Sequence, residues 1–188
     1  MSGKTGAIQV LGMCGSLREH SYNRRLLLAA AKELPGDAEF HVFDGIAKVP
    51  AYNEDIDARE TPPAVQALRI AIATASAILI STPEYNASVP GGLKNAIDWA
   101  SRPHPDHVFR GKPVIVVGAS ISAYGAALAQ AELRRVLRVI GAHVVGAELA
   151  VALAHEAFAA DGRLADAKLS SELATLVQAL VTSASTLR

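Results

Sequence analysis

The sequence predicts an α/β protein with a parallel sheet covered by helices on both faces. Three observations carry that expectation. Apolar runs alternate with segments of helical period along the chain. The runs themselves read as strands buried on both sides, as parallel sheets require. Hydrophobic residues make up 51% of the 188 positions against 19% charged, enough to fill a core. A chain of this length fits one domain over residues 1–188 and buries about 70% of its unfolded surface.

The strands are expected near 7–14, 38–43, 77–82, 113–119 and 143–149, and the helices near 22–34, 62–75, 91–101, 124–140 and 166–184. The first helix follows from Leu26, Leu27, Ala30, Ala31 and Leu34 at helical spacing. Pro62 and Pro63 open the second, where missing N–H groups cost little, with Thr61 as the candidate cap. The two longest loops are expected at 44–61 and 101–112. The first carries Tyr52, Asn53 and acidic residues and is placed to line the rim of a site; the Pro- and His-rich second is expected on the surface. No internal repeat or low-complexity segment is visible.

Charge excludes several classes. Eighteen basic residues balance eighteen acidic ones, so there is neither a nucleic-acid footprint nor a polybasic membrane face. Cys14 is the lone cysteine, which rules out an intrachain disulfide and fits a reducing compartment. The first six residues are too short and polar for a signal peptide. No apolar stretch reaches the ~18 residues of a membrane span. A cytoplasmic protein is the expectation.

Two segments carry the chemistry. Pro83-Glu84-Tyr85-Asn86-Ala87-Ser88-Val89-Pro90-Gly91-Gly92 follows the third strand, placing an aromatic, Pro-stiffened loop at a strand's carboxyl end, where open α/β sheets bind ligands. Glycines there permit close approach, so the loop suits a flat heteroaromatic ligand. Gly15-Ser16-Leu17-Arg18-Glu19-His20-Ser21-Tyr22-Asn23 joins the first strand to the first helix. Its short donors, the Arg18 charge and the free N–H groups of a helix start form an anion site suited to a phosphate monoester. Together they suggest a mononucleotide with an aromatic head.

These residues resemble the NAD(P)H-dependent FMN reductase family, the flavodoxin-like group that includes quinone and chromate reductases. The resemblance rests on Gly15-Ser16-Leu17-Arg18 with Ser21 and Asn23, and on Pro83-Glu84-Tyr85-Asn86 with Ser88, Pro90, Gly91, Leu93, Lys94, Asn95, Asp98 and Trp99. Val49-Pro50-Ala51-Tyr52-Asn53-Glu54-Asp55 is a weaker third match. It implies a flavodoxin-like three-layer sandwich with a five-stranded parallel sheet of order 2-1-3-4-5. It also implies FMN as cofactor and NADPH or NADH as co-substrate, with hydride passing through FMN to a small-molecule acceptor such as a quinone or flavin. The phosphate contacts it implies are Ser16, Arg18, Ser21, Tyr22 and Asn23; the ring contacts are Pro83, Glu84, Tyr85, Asn86, Ser120 and Tyr124. A homodimer or homotetramer is implied as well.

No side chain is expected to act as a catalytic acid or base, because the cofactor carries the chemistry. Glu84 and Asn86 are read as positioners, Lys94, Asn95 and Asp98 as holding the loop and helix start, Trp99 as packing or interface, and Cys14 as a small buried hydrophobe. In the loop after the fourth strand, Ile121 and Ala126 stand where glycine is expected, which predicts a narrower ring pocket. Tyr124 either covers the ring or faces a subunit contact. His104 and His107 flank Asp106 without a further fixed ligand, so no metal is expected. Gly3-Lys4-Thr5 precedes the first strand and lacks the upstream glycine of a P-loop. The rival reading is a non-enzymatic, flavodoxin-type electron carrier, which the neutral charge balance disfavours.

Overall fold

The computed structural model describes residues 7–187; the polar amino terminus with Gly3-Lys4-Thr5 lies outside them. In chain order the elements are β1 (Ile8–Cys14), α1 (Tyr22–Ala31), β2 (Ala38–Phe43), a 3-10 turn (Ile46–Lys48), α2 (Glu54–Asp57), α3 (Pro63–Thr74) and β3 (Ala77–Thr82). Then follow α4 (Gly91–Ala100), β4 (Pro113–Ala119), α5 (Ala127–Val139), β5 (His143–Val144), β6 (Leu149–Val151) and α6 (Ala167–Thr186). All strand pairs are parallel, in the order β2-β1-β3-β4-β5, with β6 also on β4. This is the flavodoxin-like order the resemblance implies, with one strand more.

Side chains sort to the two faces because consecutive strand residues point opposite ways. Val10, Leu79, Ile115 and Val117 face α1 and α6, packing on Leu26, Leu27, Leu173, Val177 and Leu180. Leu11, Met13, Ile78, Ile80 and Val116 face α3, α4 and α5, packing on Leu68, Ile72, Leu93, Ile97, Trp99 and Leu133. Every residue of β3 and β4 is buried, so the strands at the centre carry the continuous apolar runs. None of the helices among the described residues is long and apolar enough to cross a membrane.

The fifth strand departs from the expectation. The apolar pattern of 143–149 predicts one strand, but the chain forms β5 on Pro113–Val114 and β6 on residues 117–119, stepping away between them. Gly146 takes φ +65° at the step, and Arg134 of α5 donates to the Gly146 and Ala147 carbonyls at 2.5 and 3.2 Å. A buried cation thus replaces the ladder partners lost in the break, which hydrophobic periodicity cannot reveal.

Two smaller expectations change. Thr61 does not cap α3, whose N-cap residue is Pro62; its hydroxyl instead meets Asp57 and accepts from Arg69 at 3.3 Å. The 101–112 loop is not wholly on the surface, since Phe109 and His107 are buried. Burial, with His104, Arg110 and Arg102 nearby, pushes the His107 imidazole below its ordinary value.

Replacing Arg134 by Met keeps the bulk and removes both donors to the 146–147 step. A loss of about 2–3 kcal/mol of stability is expected, read from urea unfolding; a loss under ~0.5 kcal/mol would show that the step holds without it.

Candidate functional site

The loops after β1, β3 and β4 meet at the carboxyl edge of the sheet. Gly15 makes the first meeting feasible: its N–H donates to the Ser81 carbonyl at 2.8 Å. A Cβ there would lie 2.9 Å from Leu93 Cδ2 and 3.2 Å from Pro83 Cδ, so any side chain would have to displace Leu93 and press on the start of the second loop. Ser21 caps α1, its hydroxyl accepting from Arg24 N at 3.3 Å. The N–H groups of Tyr22 and Asn23, the first two of the helix, have no intrahelical acceptor and stay available to an anion. Ser16 is buried below them, accepting from Arg18 N at 3.4 Å.

The remaining members of the anion segment divide. Ser16 and Arg18 line a cleft of about 320 Å³ with Cys14, Leu17, Arg24 and Asp44, and Arg24 pairs with Asp44 across it. Burial pushes the Cys14 thiol above its ordinary value, in keeping with an inert buried sulfur. The Tyr22 ring turns away to stack on Phe158 at 6.4 Å, with Arg25 over both rings. The Asn23 side chain is consumed internally. Its Nδ2 donates to the Ala119 carbonyl at 2.9 Å, and its Oδ1 accepts from Ala119 N at 3.0 Å and Ser81 Oγ at 2.9 Å. Tyr22 and Asn23 therefore face the anion position with their backbone alone.

The second loop is a tight turn. Tyr85 and Ser88 exchange two backbone hydrogen bonds of 3.1 Å, and Asn86 and Ala87 between them both take left-handed backbone, at φ +53° and +60°. This holds the Tyr85 ring out, 48% exposed. Glu84 Oε2 accepts from Ala129 N at 3.1 Å, supplying the cap that α5 lacks at Ala126. Glu132 reaches the other way, its Oε2 accepting from Ser88 Oγ at 2.7 Å and Val89 N at 3.3 Å. The Ser88 hydroxyl holds the Glu132 carboxyl below the usual carboxylate range, helped by Val89 N–H, Arg135 and Lys94.

In the third loop, Ser120 Oγ accepts from Ser122 N at 3.2 Å, and Ser120 N donates to Val151 of β6. Gly125 lies against β6, where a Cβ would come within 2.6 Å of backbone. Ala126 adopts φ +63° despite its side chain, and Ile121 is 63% exposed. Ala126 is buried, so of these two residues only Ile121 presents its side chain to solvent. Tyr124, 75% exposed, stands at the rim.

Asn95 and Trp99 serve a purpose the sequence did not disclose. Asn95 accepts from Tyr52 N and donates to the Pro50 carbonyl, both at 2.8 Å. Trp99 Nε1 donates to the same carbonyl at 2.8 Å, and its buried ring meets Tyr52 edge-on at 5.0 Å. Two of the matching motifs, some forty residues apart, form one clamp. Lys94 and Asp98 pair along α4 at 2.6 Å.

The donor set suits FMN. A helix start with uncommitted N–H groups, serine hydroxyls and an exposed arginine is phosphate chemistry, and the exposed rings of Tyr85 and Tyr124 on the second and third loops suit a flat partner. His104 and His107 come within 6.3 Å ring to ring, but no cluster of three metal-ligating side chains exists among the described residues. Glu132 and the 152–166 connection escaped the sequence reading, since nothing local to either marks it. Asn23→Ala should cost about 3 kcal/mol in thermal or urea unfolding, because Ala119 and Ser81 lose their partners together; a cost below ~1 kcal/mol would mean that water replaces them.

The model of the family described as NADPH-dependent FMN reductase matches residues 8–156. A NAD(P)H-dependent FMN reductase of Pseudomonas aeruginosa is 45% identical over 174 residues, covering 92% of this chain and 93% of its own. A quinone reductase of Escherichia coli is 42% identical over 139 residues, 73% of each chain. Among solved structures, the flavoenzyme NAD(P)H:(acceptor) oxidoreductase FerB from Paracoccus denitrificans superposes with a TM-score of 0.83 at 39% identity, covering 96% of this chain and 98% of its own. Matches of this length and identity, on this strand order, make the chain a member of the NADPH-dependent FMN reductase family, an FMN-dependent NAD(P)H oxidoreductase of flavodoxin-like fold.

Proposed function

We propose that the chain, as one domain, reduces a quinone or a free flavin with electrons from NADH or NADPH, and that the three carboxyl-edge loops hold FMN. The observation that carries this is a helix start fit for phosphate, braced through Asn23 to the ends of β3 and β4, with the turn that presents an aromatic ring following β3 on the same sheet edge. Ser16, Ser21 and Arg18 would hold the phosphate with side chains, and Tyr22 and Asn23 with backbone N–H groups. Ser21 accepts from Arg24 N and also meets Cys14 Sγ at 3.8 Å, where either atom can donate. Pro83, Glu84, Tyr85 and Asn86 would seat the ring on one side, with Ser120 and Tyr124 on the other.

Bound there, FMN supplies the hydride-accepting and hydride-donating chemistry. The protein's own residues contribute orientation. Glu84 is committed to the α5 start and is not placed as a base. Tyr85 and Tyr124 offer flat exposed surfaces to a planar partner. The electron-carrier reading finds no support in the relatives, which are named as reductases.

Leu17, Tyr85, Ile121, Tyr124 and Leu153 form an exposed apolar rim around these loops. Such a rim fits coverage by a second copy, and a homodimer or homotetramer is expected by light scattering at micromolar concentration. A monomer under those conditions would overturn that part of the proposal.

The direct test is anaerobic addition of NADH or NADPH to the FMN-loaded protein. Bleaching of the visible flavin band by either donor is expected, and a bound flavin indifferent to both would sink the reductase reading. Arg18→Ala should weaken FMN binding by roughly 1.5–3 kcal/mol without lowering the melting temperature, as Arg18 is exposed. Unchanged affinity would remove Arg18 from the phosphate site.

A further inference from the structure

We propose that Glu132, which lies outside the loops assigned to the flavin, is a positioning residue that fixes the spacing between the two loops flanking the ring. The inference rests on the reading that the ring sits between the 83–88 turn and the 120–124 loop.

The turn at Tyr85–Ser88 carries two internal hydrogen bonds, and two consecutive non-glycine residues within it are left-handed. L-residues resist that conformation, so such a turn persists only where its surroundings over-determine it. Two carboxylates do so from opposite directions. Glu84, at the front of the turn, accepts from Ala129 N of α5; Glu132, one helical turn further along α5, accepts from Ser88 Oγ and Val89 N at its back. Tyr85, Asn86 and Ala87 are thereby suspended between two anchors on one helix.

That helix begins where the third loop ends, at Ala126, and is itself immobilised. Leu133 and Leu137 are buried in the core, and buried Gln130 bonds the Gly125 carbonyl and Leu149 N, both at 3.2 Å. Gln130 thus ties the third loop to α5, and Glu132 ties the second loop to the same helix two residues later. The separation of the two loops is therefore set by α5, and Glu132 makes two of the three bonds that transmit it to the turn. No group touching the ring is needed from Glu132 itself.

Three readouts test this: the FMN dissociation constant by flavin fluorescence, the visible circular dichroism of the bound flavin, and the melting temperature of the FMN-free protein. Glu132→Ala should weaken FMN binding about tenfold, the equivalent of one lost hydrogen bond to a charged group. It should also alter the visible dichroism, while the melting temperature stays within a few degrees of wild type. Glu132→Gln keeps an acceptor oxygen for Ser88 and should fall between. Ser88→Ala, which removes one bond from the loop side, should weaken binding a few-fold and serves if Glu132→Ala does not fold.

Wild-type affinity and dichroism in these variants would overturn the inference, as would a lowered melting temperature with unchanged affinity, which marks a merely structural contact. Wild-type protein that takes up no FMN would overturn the cofactor placement and the inference with it, so the two failures are distinguishable.

Discussion

The buried carboxamide of Asn23 is the interaction on which the carboxyl edge depends. Where β3 and β4 end, their backbone groups lose the ladder partners that satisfy them elsewhere in the sheet, and a buried unpaired group costs about 1–3 kcal/mol. Asn23 satisfies both the N–H and the carbonyl of Ala119 and also receives the Ser81 hydroxyl. Because it sits in the first turn of α1, the same contact that closes the sheet end fixes the helix start above it. The anion position, the end of β3 and the start of the third loop become one rigid piece. A residue whose side chain is spent inside the fold thus decides where the backbone of the helix start lies.

Helix α5 plays the corresponding part on the other side. Three of its polar residues each reach a different chain segment: half-buried Glu132 the 83–89 loop, buried Gln130 Gly125 and β6, and buried Arg134 the break between β5 and β6. Buried polar side chains are costly unless fully partnered, and Gln130 and Arg134 take backbone groups at the loop and the strand break as partners. Irregular backbone and buried polar groups therefore offset one another.

Strain follows the same geography. Asn86, Ala87, Ala126 and Leu153 are the non-glycine residues with positive φ among the described ones, and all four lie in loops at the carboxyl edge. Left-handed backbone without glycine costs of order 1–2 kcal/mol per residue. It is tolerated where surrounding contacts leave no alternative, which is the condition for holding a site in one geometry before anything binds.

The strands and helices were legible in the sequence because burial on both faces writes itself as local apolar runs and helical spacing, and four strands fell near their expected places while the fifth split in two. The two candidate ligand loops stood out because Gly15, and Pro83, Tyr85 and Asn86, fall in short segments whose chemistry is local. What remained hidden was whatever joins segments far apart in the chain. Asn23 read as an anion contact, and nothing in the chain around it showed that its side chain braces a residue nearly a hundred positions away. Asn95 and Trp99 gave no hint that they hold Pro50 and Tyr52, and Glu132 carried no mark at all. The sequence determined which backbone segments could be strand, helix or ligand loop, since those depend on neighbours in the chain. Only the tertiary structure decided which polar side chains face the site and which are spent holding it, because a hydrogen bond's partner is set by proximity in space.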